Sequence, residues 1–551
     1  MAKGYRPVRR DQPFLLPPDM REWLPEDHAV WLVIGAVDRL DTSAVHAVRR
    51  TGGAGARGYD PQMLVTLLIW AYASGVTSSR RIEELCRTDV AFRVICAQDV
   101  PDHVTIARFR AAFPDLAQEL FTQVLMLCAR LGMGQVGTVA LDGTKITANA
   151  SKAANRTEER LRALAGQRAG EHAAADADED ERFGEGRRGD RLPPGGAGGG
   201  SRDERIGRAL SELEAEREAS EAARDAQARA YLDAAAAGKT PGGHVPDAAQ
   251  VRAAQARLER AEAAQQARIA AREQRDAQAR AAGHRGFRGR RPVPVNQAPA
   301  VRQARGCLER AQARAAEQER KAAANKGPGP ARNITDRDSR LMPVRGGGFL
   351  QGYNAQNVTS ADGLIIATQL TQDTTDTAWF GPMLTAALDA AALITARQPP
   401  QAGSPAGPGS TGARGSSITM FLADAGYCSE DNLTLPGPDR LIATGKHRDL
   451  EKRARAGGGP AGNPCKEATA AMAARLATEE GITAYRQRGH IAETPHGHIK
   501  HNMRFRQLTM RGKPKAAAEW AFAATVHNLF KAITASHLTP AALASLASQP
   551  A

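Results

Sequence analysis

Three acidic residues occupy the kinds of place from which carboxylates do chemistry. Asp142 closes the β-forming run VGTVALD at 136–142, and Asp424 closes SITMFLAD at 417–424. The end of an apolar strand is a rigid mount, and two such strands side by side would bring two of the acids together. Glu493 lies in the most basic stretch of the chain, where eight Lys and Arg fall between Arg486 and Lys515 against this one acid. Three carboxylates can hold two divalent ions about 3.5–4 Å apart, one activating water or a 3′-hydroxyl and the other stabilising the leaving oxygen. That is the chemistry of phosphodiester cleavage. Hard oxygen ligands suit Mg²⁺ first, with Mn²⁺ as the second choice. Glu493 keeps a second reading as one more surface charge, and the cations around it suit a nucleic-acid backbone.

Other residues compete for roles. Asp373 and Asp376, in TQDTTDTAWF, rival Asp424 as the second acid, but they precede a helix and read as capping residues. His490, His496, His498 and His501 fall within twelve positions, which invites zinc. No cysteine accompanies them and the spacing fits no standard zinc site, so a basic, DNA-contacting helix is the better reading. Tyr485 is a conceivable covalent nucleophile, yet a carboxylate–metal site needs none, so it reads as a packing or phosphate-contacting residue. The run Thr77-Ser78-Ser79-Arg80-Arg81 is either a helix cap with a solvated face or a phosphate contact.

The elements that must position these residues are legible in outline. Residues 1–135 read as several short helices, one opening at Pro61 after Asp60 and stopping at Gly75, as in a helix-turn-helix reader or a plain bundle. VGTVALDGTKITA reads as strand, turn and second strand, the turn following Asp142. Residues 152–330 are rich in Ala, Arg, Glu and Gln and read as a helical hairpin or bundle inserted into the fold, interrupted by loops at 192–201 and 238–246. Ile206, Leu210 and Leu213 keep helical spacing there, too briefly for a long coiled coil. Strand character returns at 348–358 and 363–372, joined through Asp362-Gly363, a good hairpin signal. A helix from Trp379 to about Arg397, a linker at 398–416, the strand ending in Asp424, a Gly-rich loop at 457–463, and helices over about 466–479 and 516–533 complete the chain.

Composition sets the limits. The 551 residues allow two to four units. Lys and Arg outnumber Asp and Glu by 74 to 60, giving a net charge of +14, which favours a polyanionic partner or else a solvated basic surface. The six cysteines are scattered without a C-x-x-C pair, which predicts reduced thiols in a cytoplasmic protein rather than a disulfide frame. MAKGYRPVRRDQPFLLPP has no apolar core of a signal peptide, and Met63 to Val76 is too short and broken to cross a bilayer. No membrane role is predicted.

Tyr485, Arg488, Glu493 and Lys500 form Y-x2-R-x4-E-x6-K, which resembles the signature block of bacterial DDE insertion-sequence transposases. LDGTKITANAS at 141–151 and LADAGYCSEDNL at 422–433 resemble that family's first-Asp and second-Asp segments. ITDRDSRLM at 334–342, GYNAQNV at 352–358 and AEWAFAATVHNLFKA at 518–532 are similar to its intervening and closing stretches. YDPQMLVTLLIWAYASGVTSSRRIEELC and PDHVTIARFR resemble its N-terminal DNA-binding region. These blocks stand in the family's order and cover most of the chain outside 152–330. His496 and His498 depart from the family, where apolar residues or Gln are usual, and the 152–330 insertion is longer than usual.

The resemblance implies Asp142, Asp424 and Glu493 as catalytic metal ligands, with Tyr485, Arg488 and Lys500 contacting the DNA end or positioning the site. Arg504 and Arg506 extend the basic patch, and Arg80, Arg81 and Arg108 lie in the N-terminal blocks; these are the further DNA-contact candidates. It implies an α/β fold: a ribonuclease-H-like core of 136–151 and 331–535, an all-α DNA-binding region at 1–135, the helical insertion at 152–330 and a tail at 536–551. The implied function is binding of an element's terminal inverted repeats, then Mg²⁺-dependent cleavage and strand transfer into double-stranded target DNA, by a homo-oligomer working in the cytoplasm on nucleoid DNA. A catalytically inactive DNA-binding relic or regulator, and a nuclease without strand transfer, are the alternatives.

Overall fold

The computed structural model describes residues 19–43, 58–112, 114–167, 202–237, 247–283, 285–286, 290–324, 331–344, 346–399, 418–445 and 467–547. The loops expected at 192–201, 238–246 and 457–463, and most of the 398–416 linker, lie outside the described residues. In chain order the helices before the first strand are α1 (Ala29–Val37), α2 (Pro61–Ala73), α3 (Ser79–Thr88), α4 (Val90–Ile95), α5 (His103–Ala111) and α6 (Pro114–Arg130). Then come β1 (Thr138–Thr147), β2 (Asn155–Thr157), α7 (Arg202–Ala236), α8 (Asp247–Ala281), α9 (Pro299–Ala324) and β3 (Ala331–Asn333). The remainder is β4 (Arg340–Pro343), β5 (Phe349–Ser360), β6 (Ile365–Thr371), α10 (Phe380–Arg397), β7 (Met420–Ala423), α11 (Glu430–Thr434), β8 (Asp439–Ile442), α12 (Glu467–Leu476), α13 (Glu479–Gly497), α14 (Lys513–Thr534) and α15 (Pro540–Ala547).

The chain divides into two compact units, 155–334 and the remainder. In the larger unit, β1 pairs antiparallel with β5 and parallel with β7, and β8 extends the sheet beyond β7. On the far side of β5 stand β4 and β6, both antiparallel to it. One hydrophobic core joins the sheet to the N-terminal helices, running from Val30 through Leu64, Phe121, Leu141, Phe421 and Trp520 to Leu546. Asp60 caps α2 through Gln62 N and Pro61 follows at its first position, as the sequence predicts. Nine of the thirteen residues of α2 are buried, so this helix is core.

The hairpin read at Asp362-Gly363 is present: β5 and β6 pair antiparallel, and Gly363 takes φ +87°, a conformation glycine adopts without steric cost. The turn read after Asp142 is absent. Strand β1 runs unbroken through Asp142 and Gly143, because β5 pairs with it residue for residue from Val139 to Thr147. Asp142 is therefore mid-strand, opposite Asn357.

In the smaller unit, α8 and α9 pack as a hairpin. A separate cluster buries Leu161, Ile206, Ala209 and Leu213. The helical spacing of Ile206 and Leu213 is thus a packing face, while most other side chains of α7 are exposed.

Candidate active site

Alternation along the strands decides where the acids point. Ala140 and Leu422 are buried in a small cluster with Tyr485, Ile491 and Ala492 of α13, whereas Val139, Leu141, Phe421 and Ala423 belong to the main core. With a side-chain period of two, Asp142 and Asp424 share the face of Ala140 and Leu422, the face that α13 covers. The parallel register sets Ala140 beside Leu422 and Leu141 beside Ala423, so continuing it sets Asp142 beside Asp424.

Arg488 of α13 straddles the pair. Its Nη2 lies 2.8 Å from Asp142 Oδ1 and 3.7 Å from Asp424 Oδ2. Burial opposes the guanidinium charge, but Asp142, Tyr485, Asp424 and Glu493 outweigh it and raise its pKa above the ordinary arginine value. Its Nε is buried with no hydrogen-bond acceptor among the described residues. An orphaned donor at this point is suited to a phosphate oxygen.

The two acids are driven apart electrostatically. Burial raises Asp142, but first the His496 contact and then the Arg488 charge bring it below the ordinary carboxylate range. Burial raises Asp424 as well; Arg488 opposes this, and the neighbouring Asp142 and Asp376 add to it, so the result is a raised pKa. Asp424 also caps the 3-10 turn Ala425–Tyr427 through Gly426 N.

His496, one of the four clustered histidines, has its Nδ1 3.5 Å from Asp142 Oδ2. The ring is oriented from behind. Trp520 Nε1, which can only donate, and Thr368 Oγ1 both donate to Asn357 Oδ1, at 3.2 and 2.6 Å. The Asn357 amide nitrogen must therefore face His496 Nε2, 3.0 Å away, and the ring proton sits on Nδ1, toward Asp142. The other histidines do not join it: His498 pairs with His527, and His501 lies against Arg506. The zinc reading finds no cluster among the described residues.

The other predicted residues take varied places. The Tyr485 hydroxyl is buried and donates to Ala423 O at 3.2 Å, holding α13 to the end of β7, and burial pushes its pKa up to about 12. Lys500 turns inward, its Nζ bonded to Thr144 Oγ1 and, at 2.9 Å, to Lys145 O of β1. Glu493 is exposed on α13, three residues before His496, and so leaves the helix beside it. It supports the Arg488 charge, but among the described residues no three His, Cys, Asp or Glu side chains stand close enough to share a metal ion. The stem of Arg504 lies over Gly75, and Arg506 donates to Lys500 O. In the N-terminal helices Arg80 and Arg108 are exposed, and Arg81 pairs with Glu84 at 2.6 Å.

The capping expectation for Asp373 and Asp376 does not hold. Asp373 accepts from Trp379 Nε1, and Asp376, at the N-cap position of Thr377–Trp379, makes no side-chain cap. Asp376 instead accepts Asn354 Nδ2 and Gln356 Nε2 of β5, at 2.7 and 2.6 Å. Those partners are remote in sequence, which is why local pattern favours the cap. Glycines leave the room: a Cβ on Gly143 would lie 2.6 Å from Asp376 Oδ1, and one on Gly426 would lie 3.0 Å from Asp424 Oδ1 and 3.1 Å from Asp376 Oδ2. Carboxylate oxygens of Asp424 and Asp376 beside space that a Cβ would fill are the hard donors a divalent ion takes.

Comparison with known families gives two matches. Residues 18–112 match the family described as Transposase domain (DUF772), and residues 460–533 match Transposase DDE domain. No curated protein and no solved structure matches the chain.

Proposed function

For a chain that belongs to the DDE transposases of insertion sequences, we propose that it binds the terminal inverted repeats of its element and catalyses Mg²⁺-dependent cleavage and strand transfer. The observation that carries this reading is the pair Asp142 and Asp424, side by side on parallel strands with Arg488 Nη2 between them. The strand order supports a ribonuclease-H-like core: β5 and β6 antiparallel on one side of β1, with β7 and β8 parallel on the other.

Asp142, Asp424 and Glu493 would hold the ion, Mg²⁺ or alternatively Mn²⁺. Bound there, it would supply activation of water or a 3′-hydroxyl and stabilisation of the leaving oxygen. The remaining work belongs to the chain. Arg488 offers its orphaned Nε–H to a phosphate oxygen, His496 holds Asp142 ionised and oriented, and Tyr485 and Lys500 fix α13 and β1 to the site. Glu493, exposed on α13 three residues before His496, would be the third ligand. Double-stranded DNA at element ends and target, contacted also by Arg504, Arg506, Arg80, Arg81 and Arg108, is the partner. The enzyme acts in the cytoplasm as a homo-oligomer.

The test uses duplexes carrying the element ends. Asp142→Ala, Asp424→Ala and Glu493→Ala each abolish cleavage and strand joining while end binding in a gel-shift assay persists. Cleavage retained by any of the three removes that residue from the site. Cleavage without joining by the wild-type chain identifies a nuclease instead.

A further inference from the structure

The 155–334 unit holds a cleft of about 550 Å³ walled by arginines. Arg268, Arg272 and Arg275 line it from α8, and Arg290, Pro292 and Val293 line it from the segment leading to α9. We infer that this cleft is a second DNA-binding site, one that grips the phosphate backbone without reading sequence.

The arginines stand at i, i+4 and i+7, so they form one stripe along α8. From Arg268 to Arg275 the stripe runs about 10 Å at 1.5 Å per residue. One DNA strand advances about 3.4 Å per phosphate, so the stripe matches roughly three phosphates. The opposite wall is fixed rather than loose: Gln265, only 7% exposed, donates its Nε2 to Val293 O at 2.8 Å and ties that segment to α8. Pro292 and Pro299 stiffen it further. Arg272 is held by Asp276 at 3.3 Å, and the side chains of Arg268, Arg275 and Arg290 are solvent-exposed. Among the described residues, no acidic side chain lines the cleft. A solvated helix face has no need of a tethered opposite wall carrying a fourth arginine.

The inference does not depend on which acids catalyse. Binding of the full-length chain to a duplex of about 30 bp and arbitrary sequence is measured by fluorescence anisotropy as salt is raised from about 50 to 200 mM. Replacing Arg268, Arg275 and Arg290 together by Ala removes three phosphate partners, so the slope of log affinity against log salt flattens by about 2.7. The wild type then loses about forty-fold more affinity than the variant over that range. Alanine at the two α8 positions favours helix, and circular dichroism checks that the helices persist. The corresponding triple Lys variant keeps the slope, because charge rather than shape makes the contact. An unchanged slope in the Ala variant, or a lost slope that Lys does not rescue, overturns the inference. Binding of this arbitrary duplex is read with chelator present and without cleavage, so failure of the catalytic reading and failure of this one are read separately.

Discussion

Asp142 and Asp424 are neighbours with opposite electrostatic fates, and that fixes the sign of two substitutions. The Asp142 carboxyl is lowered in the folded chain, by His496 and Arg488 against the effect of burial. Its contribution to stability is present above the unfolded carboxylate value of about 3.9 and is lost as pH falls through the folded value. Asp424 is raised by burial and by Asp142 and Asp376, so its favourable contribution belongs to low pH and is lost as pH rises through the folded value. Near pH 7 with chelator present, Asp424→Asn therefore raises stability and Asp142→Asn lowers it, each by about 1 kcal/mol, with the thermal midpoint moving in the same direction. Calorimetry of the two variants checks the opposed signs. His496→Gln removes the partner that keeps Asp142 ionised, so the acidic limb of the cleavage profile moves to higher pH, and a profile that stays in place denies His496 that role. Asp376→Asn lowers cleavage about tenfold, as loss of a carboxylate supporting a metal site commonly does, whereas Asp373→Asn, whose side chain accepts from Trp379 Nε1, leaves the rate near wild type. The strand acids were legible in sequence because apolar runs lead straight into them. His496 and Asp376 were not, because their partners Asn357 and Gln356 reach them only through the folded sheet.

At the scale of elements, one dipeptide gave two outcomes. Asp-Gly at 362–363 turns the chain between β5 and β6, while Asp-Gly at 142–143 runs straight through β1. Local turn preference is the same at both; the difference is an uninterrupted partner strand, β5, alongside β1 and a parallel neighbour, β7, ending beside Asp142. Sequence spacing does not disclose which strands pair, so the second reading required the fold. Gly143 serves there for its size: a Cβ would meet Asp376 Oδ1 at 2.6 Å and Gln356 Nε2 at 2.8 Å. Gly143→Ala must displace either the strand or the carboxylate, at about 1–3 kcal/mol for overpacking of this kind. The variant is expected to lose cleavage in step with that strain, and Gly132→Ala is a comparison free of contact, since nothing lies within 4 Å of its Cβ. That comparison carries its own cost from a φ of +80°, so stability falls in both while cleavage per folded molecule falls only at Gly143.

At the scale of the whole molecule, the two units are built on different energetics. The larger unit has a continuous core of Leu, Ile, Val and aromatic side chains from α1 to α15. Among its described residues the 155–334 unit buries Leu161, Ile206, Leu213 and Val301, with alanines such as Ala209, Ala249, Ala253 and Ala304 along its helices. A buried Ala contributes little transfer free energy beside a buried Leu or Phe, and long helices rely on packing of one face for most of their stability. The α7–α9 helices should therefore open locally at free energies well below that of the sheet. Hydrogen exchange read by mass spectrometry is expected to show peptides of α7 and α8 exchanging about 100-fold faster than those of β1 and β5. Adding duplex DNA should slow exchange in α8 around residues 265–275, because a ligand that binds only the folded form stabilises it by mass action. The protection should fade as salt rises, since the contact is with phosphates. If α8 is as protected as β1 without DNA, the unit has a source of stability beyond its small core; if DNA leaves α8 unchanged while protecting α13, the phosphate grip lies elsewhere in the chain.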